Sequence, residues 1–279
     1  MPTKSKTITY ALDGFFLLLG LWWLTLQARG LTVSNENYHF NFAYALMAAW
    51  GGIVTLKNAK EWGGFNSLYG KAVIGFGLSL LSFAAGGITW AYYNYGGFLP
   101  ANFISPQTIS DVPYPGLPDL GFGLFFPFAL FGLWSLVSAV GFKYVWQTAR
   151  GKAILLLTPC FAILLTFLVY KGIRTLSLST DAETLAVVLN YYYTVGDAIM
   201  IGISISLLFL AKKFSGGKLT SAFAFITIGL IVQYFADFIF NYRVSQETYF
   251  NADISDMLYA TGLYLISVGG SMFTLKGKR

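Results

Sequence analysis

The sequence predicts an all-α fold: a polytopic membrane helical bundle of about eight transmembrane helices, arranged as four repeated helical hairpins. Three observations carry this expectation. Of 279 residues, 56% are hydrophobic and only 11% are charged, with a mean hydropathy of +0.62, where a soluble domain carries about 25% charged residues. The apolar residues fall into runs long enough to cross about 30 Å of hydrocarbon at ~1.5 Å per helical residue. The lysines and arginines sit in short clusters between those runs, mostly on one side.

The predicted spans are 8–27, 40–56, 72–95, 120–142, 153–173, 186–211, 219–242 and 257–275, within a single integral membrane domain covering 1–279. The first follows MPTKSK and has no small-residue cleavage site after a short apolar core, so it reads as a retained span rather than a signal peptide. Asp13 sits one turn into it, close enough to the interface to reach water or a lysine. The fourth and fifth spans contain Pro127 and Pro159, which predict kinks. The sixth holds a carboxylate, Asp197, near its middle. The seventh carries Gln233, Asp237 and Asn241 at i, i+4 and i+8, and the eighth follows directly on Asp256.

Orientation follows from the basic residues. One side takes Lys4, Lys6, Lys57, Lys60, Lys71, Lys143, Arg150, Lys152, Lys212, Lys213, Lys218, Lys276, Lys278 and Arg279. The other takes only Arg29, Lys171, Arg174 and Arg243. Both termini are therefore expected on the cytoplasmic side of the cell inner membrane. The cytoplasmic connections 57–71, 143–152 and 212–218 are short and leave no room for a soluble catalytic or output domain. The outer connection 96–118 contains Pro100, Pro106, Pro113, Pro115 and Pro118 and lacks Lys and Arg, so it is expected to be extended and stiff. It reads either as a lid over the outer mouth or as a plain linker.

A weak repeat supports the hairpin reading. Asn41-Phe-Ala-Tyr44, Asp119-Leu-Gly-Phe122, Asp197-Ala-Ile-Met200 and Asp256-Met-Leu-Tyr259 occupy similar frames in the even-numbered spans. Asp119 precedes Gly132 by the same interval as Asp256 precedes Gly269. Transporters and related membrane proteins are often built from such repeats.

The candidate site is a polar face within the bundle. A carboxylate in mid-membrane costs roughly 2.5–3.5 kcal/mol on insertion scales unless something compensates it. Asn190, Tyr193, Thr194, Asp197 and Ser204 share one helical face of the sixth span, and Gln233, Asp237 and Asn241 form a stripe on the seventh. Such stripes face the bundle interior because lipid cannot satisfy them. The plainer account is interhelical hydrogen bonding that holds the bundle together. Lys171, with Arg174 three residues later, is a natural counter-charge for Asp197 and Asp237, though snorkelling to the interface accounts better for Arg174. Asp119 and Asp256 complete the set. The many tyrosines and tryptophans near the outer ends, among them Tyr92, Tyr191, Tyr234 and Tyr249, suit an interfacial belt. An inward-facing subset would suit an amphipathic ligand or a cation held by aromatic faces. Glu36, Glu61, Asp181, Glu183, Glu247 and Asp253 read as solvated loop charges, and Cys160 as a small buried apolar side chain.

Several classes are excluded. The net charge of +6 comes from short clusters between apolar runs and does not point to nucleic acid. One histidine, His39, and one cysteine rule out a His-rich metal site, a bis-His haem and a thiolate cage, so no cofactor or metal is expected. There is no Gly-rich phosphate loop and no Gly-x-Ser-x-Gly elbow. Lys171 lies near the outer end of its span and not mid-helix in a final one, against a rhodopsin-like plan.

The segment Asp111-Val-Pro-Tyr-Pro-Gly-Leu-Pro-Asp119-Leu-Gly-Phe-Gly-Leu-Phe-Phe-Pro127 resembles a Pro-Ser-x-Ala-Asp-x-x-[FY]-x-x-x-[FY]-Pro pattern. That pattern belongs to the eight-span membrane sensor regions N-terminal to some bacterial diguanylate cyclases and sensor kinases. Gly196-Asp197, Ala236-Asp237, Tyr249 and Asp256-Met-Leu-Tyr259 are similar to those regions in order and spacing. The resemblance covers nearly the whole chain and implies a sensor with Asp119, Asp197, Asp237 and Asp256 as matching positions. The sequence departs from those proteins in having no cytoplasmic enzymatic domain after the last span, so signalling would need a separate cytoplasmic protein.

The expected function is thus a stand-alone membrane sensor or ligand-binding module with a polar and aromatic pocket opening outward. Its partners are the lipid bilayer, a small apolar or amphipathic ligand and a separate signalling protein. The alternatives are a small proton-coupled carrier, an intramembrane lipid hydrolase using Asp197 and Asp237 as paired acid and base, and a purely structural bundle.

Overall fold

The computed structural model describes residues 4–98, 112–140, 184–214 and 219–273 without a break, together with short pieces between 147 and 167. The described residues form α-helices with no strand among them: α1 (Lys4–Ala28), α2 (Asn35–Ala59), α3 (Leu68–Tyr95), α4 (Leu117–Val140), α5 (Thr184–Phe214), α6 (Thr220–Ser245) and α7 (Ile254–Ser271). Two short 3-10 turns, Lys60–Trp62 and Gly64–Asn66, join α2 to α3. Most of the fifth predicted span, including Lys171 and Arg174, lies outside the described residues, as does the segment 99–111.

Among the described residues, five helices are long and apolar enough to cross a membrane: 19 residues of α1, all of α3, and most of α4, α5 and α6. α2 and α7 fall outside that set because each carries a polar outer end, with Asn37 and Asn41 in α2 and Asp256 in α7. Several helices begin before the apolar runs do. Ser34 caps α2 by accepting the Asn37 amide, and Ser67 caps α3 by accepting that of Gly70. Each cap satisfies an N–H that the first turn leaves unpaired, which lets the helix extend past the hydrocarbon. α3 stops at Gly96, whose φ of 68° ends the helix in a left-handed residue. Pro118 sits in the first turn of α4, where its missing N–H costs nothing, and Pro127 lies within a helix that continues past it.

The helices close into a ring. α2 packs on α3, α3 on α4, α4 on α5, α5 on α6, α6 on α7, and α7 returns to α2. α1 lies outside the ring against α2 and α7. Leu12, Leu19 and Leu26 of α1 recur every seven residues and are buried, while Leu17, Leu18, Leu21 and Leu24 are exposed. One stripe thus faces the bundle and the rest of the helix is left for lipid.

Glycine sets the closest helix contacts. A Cβ on Gly75 of α3 would lie 2.5 Å from the Gly132 backbone nitrogen of α4, and one on Gly121 would lie 2.3 Å from that of Gly86. In the α6–α7 pair, a Cβ on Gly229 would lie 2.9 Å from the Gly262 carbonyl, and one on Gly269 would lie 2.9 Å from that of Ala222. Lipid removes the hydrophobic drive between helices, so close backbone approach supplies the attraction instead.

Two sequence readings are corrected by this packing. Asp253 is not a solvated loop charge. It is fully buried, caps α7 by accepting the amides of Ser255 and Asp256, and lies 3.4 Å from Arg243 Nε. An N-cap carboxylate is held by backbone donors that composition does not reveal. Cys160 is exposed and not buried, beside the exposed Leu157, Phe161 and Leu164. In addition, Asp13 is held by an aromatic partner and not a lysine, because the Tyr264 hydroxyl donates to its Oδ1 at 2.7 Å.

Candidate functional site

The interior of the ring brings together side chains from each of its helices. Asp197 of α5 and Asp237 of α6 face each other, with their carboxyl groups within side-chain hydrogen-bonding range. From α7, the Tyr259 hydroxyl donates to Asp237 Oδ1 at 2.5 Å. The Tyr259 ring also meets Phe83 of α3 at 5.7 Å between centroids, and Phe83 meets Phe122 and Phe125 of α4 at 5.0 and 5.9 Å. The pair therefore sits in an aromatic surround.

Asp197 is 2% exposed, and its Oδ1 has no hydrogen-bond partner among the described residues. Gln233, one turn before Asp237 on α6, is 1% exposed, and its Oε1 is also unpartnered. That oxygen presses on Gly262 of α7, where a Cβ would come within 2.5 Å of it. Gly262 lies one turn beyond Tyr259 on α7, so Gln233 and Asp237 of α6 meet successive turns of the same helix. Leaving a buried acceptor unsatisfied costs about 1–3 kcal/mol. Among the described residues, neither acceptor is given a donor.

Asp119 and Tyr193 form a second group, one turn outward. The Tyr193 hydroxyl donates to Asp119 Oδ1 at 2.8 Å, and the Gly116 amide donates to Oδ2 at 2.7 Å. Tyr193 also packs on Phe126 at 5.7 Å. Asn190 lies farther out and accepts from the Tyr114 hydroxyl at 2.6 Å, tying the start of α5 to the segment before α4. Asn241 lies half-buried one turn beyond Asp237. On the inner side, Ser204 donates back to the Ile201 carbonyl, while its own carbonyl accepts from Thr227 of α6.

Asp256 belongs to a third group that closes the end of the ring at the α6–α7 loop. Its Oδ2 accepts the Ala252 amide at 2.7 Å and the Tyr249 hydroxyl at 3.2 Å, and its Oδ1 accepts from Tyr44 of α2 at 3.2 Å. Beside it, Asn251 Oδ1 accepts from Asn41, Trp90 and Asn94 at 2.7, 3.1 and 3.2 Å. The Asn251 carbonyl accepts from Asn37, and Trp23 and Gln27 of α1 donate to the Ala252 carbonyl. Four helices are thus fastened to one short loop. Burial, followed by the neighbouring Asp256 charge, pushes the phenol of Tyr249 in that loop well above its ordinary value.

Of the sequence-predicted residues, the structure brings Asp197, Asp237 and Gln233 to one junction, with Tyr193 and Asp119 adjoining. Asn190 and Asp256 instead bond near the ends of their helices, to Tyr114 and to the α6–α7 loop, and Lys171 falls outside the described residues. Tyr259 and Tyr44 were not among the predicted site residues. Their signal was the repeat itself, since each follows its polar residue, Asp256 or Asn41, by three. Asn251 carried no signal, because an isolated loop asparagine does not announce three buried donors. Among the described residues, no cluster of His, Cys, Asp and Glu is suited to a metal ion. Comparison with family models, curated proteins and solved structures finds no match to this chain.

Proposed function

We propose that this chain is a membrane-embedded ligand-binding module of the sensor type, with eight spans in four hairpins and both termini in the cytoplasm. Its ligand is a small amphipathic molecule held at the Asp197–Asp237 junction, and its output passes to a separate cytoplasmic protein. The observation that supports this reading is that two buried acceptors, Asp197 Oδ1 of α5 and Gln233 Oε1 of α6, have no hydrogen-bond partner among the described residues. A purely structural network would be expected to satisfy its own acceptors. The hairpin reading draws support from Gly132 and Gly269, which stand at matching positions and each lie against the partner helix of their own hairpin. The test is thermal unfolding of the purified chain across a lipid and metabolite panel. A ligand should raise the midpoint of the wild type and fail to do so in Asp197→Asn. A panel that shifts neither protein would remove the reading.

The contact between the two carboxyls favours a second reading, an intramembrane lipid hydrolase. A pair sharing one proton holds an acid and a base within reach of the same bond. This reading expects fatty-acid release from an ester lipid that is lost in both Asp197→Asn and Asp237→Asn.

A further inference from the structure

The two unpartnered acceptors constrain what the ligand presents to them. The junction of α5, α6 and α7 offers oxygens on Asp197, Asp237 and Gln233, while the hydroxyls nearest them are already committed. Tyr259 gives its proton to Asp237, and Tyr193 gives its proton to Asp119. A ligand carboxylate or phosphate would add acceptors and negative charge where both are in surplus. A hydroxyl brings one donor and leaves the charge uncompensated. A primary ammonium brings three N–H donors, no acceptor and one positive charge. These match the unpartnered acceptors Asp197 Oδ1 and Gln233 Oε1 and the acidic groups of Asp197 and Asp237. The rings of Tyr259, Phe83 and Phe125 add faces that attract a cation and pack an alkyl chain.

We propose that the ligand of this site is an amphipathic primary amine, its ammonium group bonded to Asp197 and Gln233 beside Asp237 and its apolar chain laid against the phenylalanines of α3 and α4. This rests on the ligand-binding reading above. An aminophospholipid headgroup and a free alkylamine share the chemistry, and they are separated by experiment.

The test uses the full chain in nonionic detergent, with thermal unfolding as the readout. Hexylammonium chloride, hexanol and sodium hexanoate are compared at equal ionic strength. The lipid arm compares mixed micelles of phosphatidylethanolamine with those of phosphatidylcholine, whose quaternary nitrogen has no N–H to donate. The expected result is a saturable rise in midpoint with hexylammonium, or with phosphatidylethanolamine over phosphatidylcholine, and no rise with hexanol or hexanoate. The apparent Kd for the effective amine should weaken at least tenfold in Asp197→Asn. Gln233→Leu, which removes an acceptor without touching the pair, should weaken it severalfold and serves if Asp197→Asn does not fold. Stabilisation by hexanol or hexanoate that depends on Asp197 would overturn the amine and leave the binding site standing. A hexylammonium shift seen only in Lys171→Gln would also overturn it, because the chain's own lysine would then fill the position. The ligand-binding reading itself falls only if the wider panel gives no Asp197-dependent shift.

Discussion

The hydroxyl of Tyr259 on α7 donates to Oδ1 of Asp237 on α6 at 2.5 Å, and Asp237 in turn meets Asp197 on α5. One hydrogen bond therefore couples the α6–α7 hairpin to the candidate site. Tyr259→Phe keeps the ring and its packing on Phe83 but withdraws a hydroxyl donor from a buried carboxyl. The expected cost is about 1–3 kcal/mol of stability, read as a lower unfolding midpoint in detergent. Ligand affinity should fall as well, since the charge of the pair would spread differently. An unchanged midpoint would mean that water replaces the phenol and that the interior is wet.

The α3–α4 contact is a test of how the bundle is held. Gly75→Ala places a methyl 2.5 Å from the Gly132 nitrogen and 2.7 Å from the Phe128 carbonyl. Both are helix backbone, so no side chain can turn aside to make room. The helices must separate, at a cost of about 1–3 kcal/mol or more. Gly14→Ala, with nothing within 4 Å of its Cβ, is the matched control and should be neutral or slightly stabilising through helix propensity. Equal stability of the two variants would contradict glycine-mediated packing.

Asn251 is the fastening point of the α6–α7 loop. Asn251→Ala leaves three side-chain donors, those of Asn41, Trp90 and Asn94, without the oxygen they share. The loop between α6 and α7 should loosen before the bundle does. Limited trypsin digestion should then cut faster after Arg243, which the Asp253 ion pair otherwise holds. Cleavage at the wild-type rate would show that the backbone bonds to Asn37, Asn41 and Asp256 hold the loop unaided.

The sequence made the membrane helices and the polar stripes legible because both are periodic. An apolar run has a length, and a stripe such as Gln233, Asp237 and Asn241 has a phase. Periodicity places a residue on a face but does not say what stands opposite. Asp197 and Asp237 were readable as inward-facing for that reason, whereas the donor on Tyr259 was not. Asp253 and Asn251 were misread or missed because their partners are backbone amides and distant side chains, which leave no pattern near either residue. Cys160 was misassigned because in a membrane protein an apolar side chain gains nothing by avoiding a surface that faces lipid. The register of α3 on α4 was written in Gly75, Gly86, Gly121 and Gly132, whose equal spacing in the two helices is a signal that hydropathy alone passes over.

Topology gives the last prediction, and it turns on the fifth predicted span. Lys60 lies between α2 and α3, and Gln246 lies between α6 and α7; both are exposed. Between them lie α3, α4, α5 and α6, each long and apolar enough to cross the membrane. If residues 153–173 cross as well, the number of crossings is odd and the two positions lie on opposite faces. If that segment does not cross, they share a face. Cys160 is exposed and would react as a background thiol, so a Cys160→Ser chain is the starting point. Lys60→Cys and Gln246→Cys are then introduced singly and labelled in intact cells with a membrane-impermeant maleimide. The basic residues around Lys57, Lys60 and Lys71 predict a cytoplasmic turn there. Gln246→Cys should therefore label in intact cells, and Lys60→Cys only after permeabilisation. Labelling of both from the same side would reduce the spans to seven and move the C-terminus to the outer face. The reverse pattern would keep eight spans and invert the whole bundle, leaving the Asn251 loop in the cytoplasm and any access to Asp197 through it open to that side instead.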